Sequence, residues 1–176
     1  MNTPLYDASV PVFQQYLRQL QSLLAKAQIF SDITFGVGNS TPLLQARLHD
    51  TMLPFATQIE ISCNFALRTC APLAGVRVPD YGDFSQDFVG LTSRIEYVLS
   101  YLAQLRPEKM QGAEQRVISD QAGQHVRQFS AHDFLHLYAM PNFFFHLSMV
   151  YAILRHLGVN IGKADFDGVH RYQNAV

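Results

Sequence analysis

The chain has 176 residues, 48% apolar and 15% charged, with 13 basic and 14 acidic side chains for a net charge of −1. That length and composition suit one domain, residues 1–176, with a sizeable core, and exclude a disordered chain. Balanced charge without a basic run excludes nucleic acid and anionic membrane surfaces as expected partners. Met1 to Val12 carries neither a basic leader nor an apolar signal core, so secretion is not expected. The two cysteines, Cys63 and Cys70, are two turns apart on one helix, roughly 10 Å and beyond disulfide reach. A reduced, cytoplasmic protein is the expectation, with both thiols acting as buried hydrophobes. Arg68 is the only local cation that could lower a thiol pKa.

In chain order, Val10, Phe13, Leu17, Leu20 and Leu24 make one apolar stripe, which predicts a first helix with Pro11 in its first turn, or with a kink at Pro11 if the helix begins near Pro4. A loop is expected over residues 31–48, marked by Gly36, Gly38, Asn39 and Pro42. The second helix is expected after Asp50 as N-cap, with Phe55, Ile59, Cys63, Ala66 and Cys70 inward, Gln58 and Ser62 alongside, and Glu60 on the solvent face. Pro72 and Gly75 end it. Asp83 with Gln86 predicts a capping box for the third helix, whose apolar face is Phe84, Phe88, Leu91, Ile95, Val98 and Leu102. Gln115–Ser119 and His125–Phe129 read as a hairpin around Asp120–Gly123. Ser130 caps a fourth helix that runs to about Leu157, with Gly158 as terminator. The tail beyond Gly162 has no clear period.

The fourth helix is the unusual one. From Phe134 to Leu154 there is no Lys, Arg, Asp or Glu, yet the run holds His136, Pro141, Asn142 and His146. Its length suits a bilayer span, but the internal histidines, asparagine and proline point instead to a central helix of a soluble bundle, apolar nearly all round. Buried polar groups must find partners or perform a task. Asn142 and His146, four residues apart, lie about 40° apart on one face and can converge on one point. His136 lies roughly 80° from His146 on an unbroken helix, and Pro141 bends the path between them. Pro141 also frees the carbonyl of Leu137, and His136 or Asn142 could satisfy the backbone groups around this kink, which is the purely structural reading of both. Histidines at i,i+4, the spacing favourable for zinc or nickel, occur only at His132 and His136. His49 could approach from before the second helix. There is no nucleophile elbow, glycine-rich phosphate loop or C-x-x-C. General acid–base chemistry could rest on His146 or His136, with no second catalytic group evident. Phe143, Phe144 and Phe145 spread round a turn, as core packing, a pocket wall or a face shared across a dimer.

The run P-N-F-F-F-H-L-S-M-V-Y-A-I-L-R-H-L-G-V at Pro141 to Val159 resembles a bacterial domain-of-unknown-function family grouped with the DinB/YfiT-like helical bundles. S-V-P-V-F at Ser9, L-Q-A-R-L at Leu44, M-L-P-F-A-T-Q-I at Met52, C-N-F-A at Cys63 and L-A-G-V at Leu73 agree, so the resemblance covers nearly the whole chain. It implies an all-α fold, a four-helix bundle with one crossover connection and here a small β-hairpin between helices three and four, often dimeric. In the wider superfamily a divalent metal is commonly held by three histidines, one on the second helix and two from an H-x-x-x-H on the fourth, and some members are thiol transferases or hydrolases. Matched onto this chain, those positions fall at Gln58, Asn142 and His146, so amides replace two of the three ligands and His146 alone remains for zinc or nickel.

The expectation is therefore a polar pocket of Gln58, Asn142 and His146, supported by His136, for a small-molecule ligand or a weakly held divalent metal. The alternatives are a non-enzymatic dimerising bundle in which the same residues form a core network, and a metal-dependent hydrolase or thiol transferase. The sequence leaves open whether the protein is an enzyme.

Overall fold

The computed structural model describes residues 4–170; Met1–Thr3 and Arg171–Val176, the ends of the expected 1–176 domain, lie outside the described residues. Four long helices carry the fold: α1 (Val10–Phe35), α2 (Phe55–Leu73), α3 (Phe88–Gln104) and α4 (Ala131–His156). The structure is mostly helical, with one small antiparallel sheet between α3 and α4. α2 packs most extensively against α4 and next against α3, and α1 packs on α3. The predicted stripes are the core: Val10, Phe13, Leu17, Leu20 and Leu24 of α1 meet Phe55, Ile59, Cys63, Ala66 and Cys70 of α2 and Leu91, Ile95, Val98 and Leu102 of α3. Phe13 meets Phe143 of α4 edge to face, with ring centroids 4.8 Å apart.

Helix ends differ from expectation where capping groups compete. α1 starts at Val10 as expected but runs on to Phe35, because no breaker precedes Gly36. α2 begins at Phe55 behind Pro54, not after Asp50, since Pro54 is extended and the Phe55 amide donates back to the Ala46 carbonyl. α3 opens at Asp87, not Asp83: the Asp87 carboxylate accepts the Gly90 amide at 2.7 Å and the Ser85 hydroxyl at 2.8 Å. The preceding loop folds back so tightly that a Cβ at Gly90 would meet the Ser85 carbonyl oxygen at 2.0 Å. Ser130 caps α4 as expected, accepting the Asp133 amide at 3.1 Å. A short helix at Lys163–Asp167 occupies the tail expected to lack a period, and it lies along α1.

The hairpin pairs β1 (Val117–Ala122) with β2 (His125–Ser130). Its loop is Gly123–Gln124 rather than Asp120–Gly123, and Gly123 supplies the φ of 61° that the first position of a two-residue loop requires. Asp120 is thus left on the strand, where its carboxylate receives Arg68 of α2 at 2.6 Å. Arg68 also donates to the Gln121 carbonyl at 2.7 Å, and Tyr138 of α4 donates to the same carbonyl at 3.1 Å.

α4 is long and apolar enough to cross a membrane by length and composition, but it is not the fully buried central helix expected: one third of its most apolar window is buried. Leu137 is 72% and Phe145 55% exposed, because packing on α2 uses one side only. Its second turn, Phe134–Ala139, is π-helical, and the Met140 amide donates to the Leu135 carbonyl five residues back. This wider turn directly precedes Pro141 and absorbs the disruption that proline causes in a regular α-helix.

Candidate functional site

Gln58 lies on the inner side of α2 and is 2% exposed, so its amide must be satisfied within the protein. It is. Its Nε2 donates to the Leu53 carbonyl at 3.0 Å, which turns Oε1 toward α4, where it meets His146 Nδ1 at 2.7 Å. An amide oxygen only accepts, so His146 Nδ1 carries the proton and Nε2 keeps its lone pair. Desolvation lowers the His146 pKa from its ordinary value of 6.5, so the ring is neutral at neutral pH. The ring stacks on Phe65, with centroids 6.0 Å apart and planes 23° apart, and Phe145 meets it edge-on at 5.2 Å. The result is a half-buried imidazole with fixed tautomer and orientation and one unspent acceptor.

Asn142 shares the α4 seam but turns its amide elsewhere: Nδ2 donates to the Tyr138 carbonyl at 2.7 Å. This is the structural task foreseen for it beside the proline, on the carbonyl of Tyr138 rather than Leu137. His136 is not brought to the pair. It is exposed and lies beside His132, with ring centroids 4.6 Å apart, because the π turn changes the angular register between it and His146. His49 is exposed in the loop before α2, against Thr51. Glu60, expected on the solvent face, is half-buried and faces Arg94 of α3 at 3.6 Å.

Phe65, Tyr138 and the Leu53 carbonyl were not singled out from the sequence. Phe65 is seven residues after Gln58, two turns along the same face, which is the signal that could have found it. Phe65 also meets Tyr138 edge to face at 6.0 Å and carries the Arg68 guanidinium 4.9 Å above its ring, linking the His146 ring to the foot of the hairpin. Cys63 and Cys70 are free and buried. Burial pushes the Cys63 thiol up to about 12 and Cys70 further, so neither is a nucleophile at neutral pH. A cleft of about 690 Å³, lined by Arg77, Val78, Pro79, Asp80 and Tyr81, lies away from the Gln58–His146 pair.

Residues 5–167 match the family model described as Domain of unknown function (DUF1993). The chain belongs to this family. Among solved structures it is similar to a DinB family member protein from Shewanella denitrificans, at 30% identity and a TM-score of 0.85, covering 96% of this chain and 94% of that one. No curated protein matches. This DUF1993 chain thus has a DinB-like fold, with the apolar α4 as one of its packed helices. The metal implied by the DinB resemblance does not fit the residues present. Gln58 Oε1 is committed to His146, the Asn142 amide to Tyr138, and a single imidazole nitrogen with an amide oxygen is a poor donor set for zinc or nickel. Among the described residues no group of three His, Cys, Asp or Glu side chains gathers to hold a metal ion.

Proposed function

We propose that this protein is a cytoplasmic DinB-type four-helix bundle, with one crossover connection, that binds a small molecule through His146. The observation that supports this is the doubly anchored Gln58, whose 2.7 Å contact leaves His146 Nε2 as a neutral, oriented acceptor. A ligand hydroxyl or amine is the natural donor to such a nitrogen, and the Phe65 and Phe145 rings offer apolar surface beside it. If chemistry follows, Nε2 is the group able to take a proton from that donor.

The test is a fragment screen of small alcohols, amines and acids by NMR, read at the His146 ring nitrogens in tag-free protein. Fragments that shift Nε2, and lose their effect in Gln58→Leu, support the reading. A library that leaves Nε2 untouched at millimolar concentration rejects it in favour of a second reading, a non-enzymatic bundle. Asn142, whose amide is spent on Tyr138, favours that second reading for its own side chain. In either reading we propose a homodimer formed through the exposed stripe Leu137, Pro141 and Phe145 of α4. Sedimentation of Phe145→Ser checks this, with a shift to monomer expected.

A further inference from the structure

His132 and His136 sit four residues apart at the start of α4, His132 in its α-helical first turn and His136 in the π segment. Both are exposed, yet their rings are gathered: the centroids are 4.6 Å apart and the planes tilted by 50°. Metal–imidazole bonds are about 2.0–2.1 Å, and each ring centre lies about 1.1 Å behind its nitrogen. Two imidazoles on one ion therefore place their centroids about 4.5 Å apart at a right angle and about 5.2 Å apart at the tetrahedral angle. The observed spacing lies close to this range, so the two rings are near enough to share one ion. Among the divalent first-row ions, imidazole sites hold copper(II) most tightly, with nickel(II) also well suited to them. Asp133 Oδ1 lies 3.5 Å from His132 Nδ1, which puts a negative charge beside the pair and leaves Nε2 of that ring for an ion.

We propose that His132 and His136 form a bidentate surface site for a divalent transition ion, copper or nickel, with water in the remaining positions. The site shares no residue with the Gln58–His146 pair. A bound ion clamps the first turn of α4 to its π segment.

The test uses the full chain without a histidine tag, titrated with copper(II) and with nickel(II) by calorimetry, with the copper complex examined by electron paramagnetic resonance. One ion per chain with two nitrogen donors is expected. His132→Gln and His136→Gln, both exposed changes, should each weaken binding at least tenfold, while His146→Gln should leave it unchanged. Binding that survives His136→Gln, binding lost only in His146→Gln, or no binding at millimolar metal would each overturn the site.

Discussion

Two polar places on α2, less than two turns apart, solve burial in opposite ways. Around Glu60 and Asn64 the polar groups face Arg94, 5% exposed, whose guanidinium is 3.6 Å from Glu60, 3.4 Å from Asn64 Oδ1 and 3.4 Å from the Tyr81 carbonyl. Phe84 covers it, with the guanidinium carbon 5.0 Å from the ring centre. Every contact there converges on the one buried guanidinium, and the loop before α3 closes over it. At Gln58 the groups are neutral, the contacts shorter, and the network stops one atom early, at His146 Nε2. A buried cation with all its partners inside the protein holds helices together; a neutral chain ending in a free lone pair is able to meet something else.

The sharpest way to break the contrast is Arg94→Met. It leaves Glu60, Asn64 Oδ1 and the Tyr81 carbonyl without their shared donor and should cost about 2 kcal/mol in urea unfolding, with water offsetting part of the loss at the half-buried Glu60 and no effect on the His146 ring. A loss below about 0.5 kcal/mol would make the Arg94 cluster no firmer than a surface ion pair. Gln58→Leu comes next, at about 1–2 kcal/mol, because the Leu53 carbonyl and His146 Nδ1 both lose partners. Its more telling readout is nitrogen NMR of His146, which should change from one tautomer to a mixture. Asn142→Leu should cost about 1 kcal/mol, the share of one backbone carbonyl, and leave that tautomer intact.

The smallest effect is on pH dependence. Because the folded pKa of His146 is depressed, the unfolded chain protonates first as pH falls through 6.5. Stability should therefore be full above 6.5 and decline as pH drops toward the lower folded value. His146→Gln should flatten that part of a pH series of chemical melts; an unchanged slope would mean the ring is as hydrated folded as unfolded.

Much of this was readable in the sequence for a physical reason. Apolar stripes at 3–4 spacing found the inward faces of α1, α2 and α3, and the same logic put Gln58 inward and set His146 within an apolar run. Arg94 sits between Leu91 and Val98 at helical spacing, but nothing local in the sequence marks a charged residue as buried when its partners come from α2 and a loop. Glu60 was misplaced for the same reason: its partner comes from another helix. The starts of α2 and α3 moved because Pro54 and Asp87 cap better in context than Asp50 and Asp83, a contest decided by loop geometry. His136 was grouped with His146 by assuming a single helical pitch.

That assumption fails at the π segment, and the failure reaches beyond one histidine. A π turn is an inserted residue that the helix keeps, a phase slip of about 100° between the turns on its N-terminal side and those on its C-terminal side. α4 therefore displays two independent lettering schemes on one rod, His132 and His136 written in the first, Asn142 and His146 in the second. Removing one residue between Phe134 and Ala139 would restore a single pitch and swing one set round the axis relative to the other, so the slip itself is what keeps the exposed histidine pair off the face that carries His146 to Gln58.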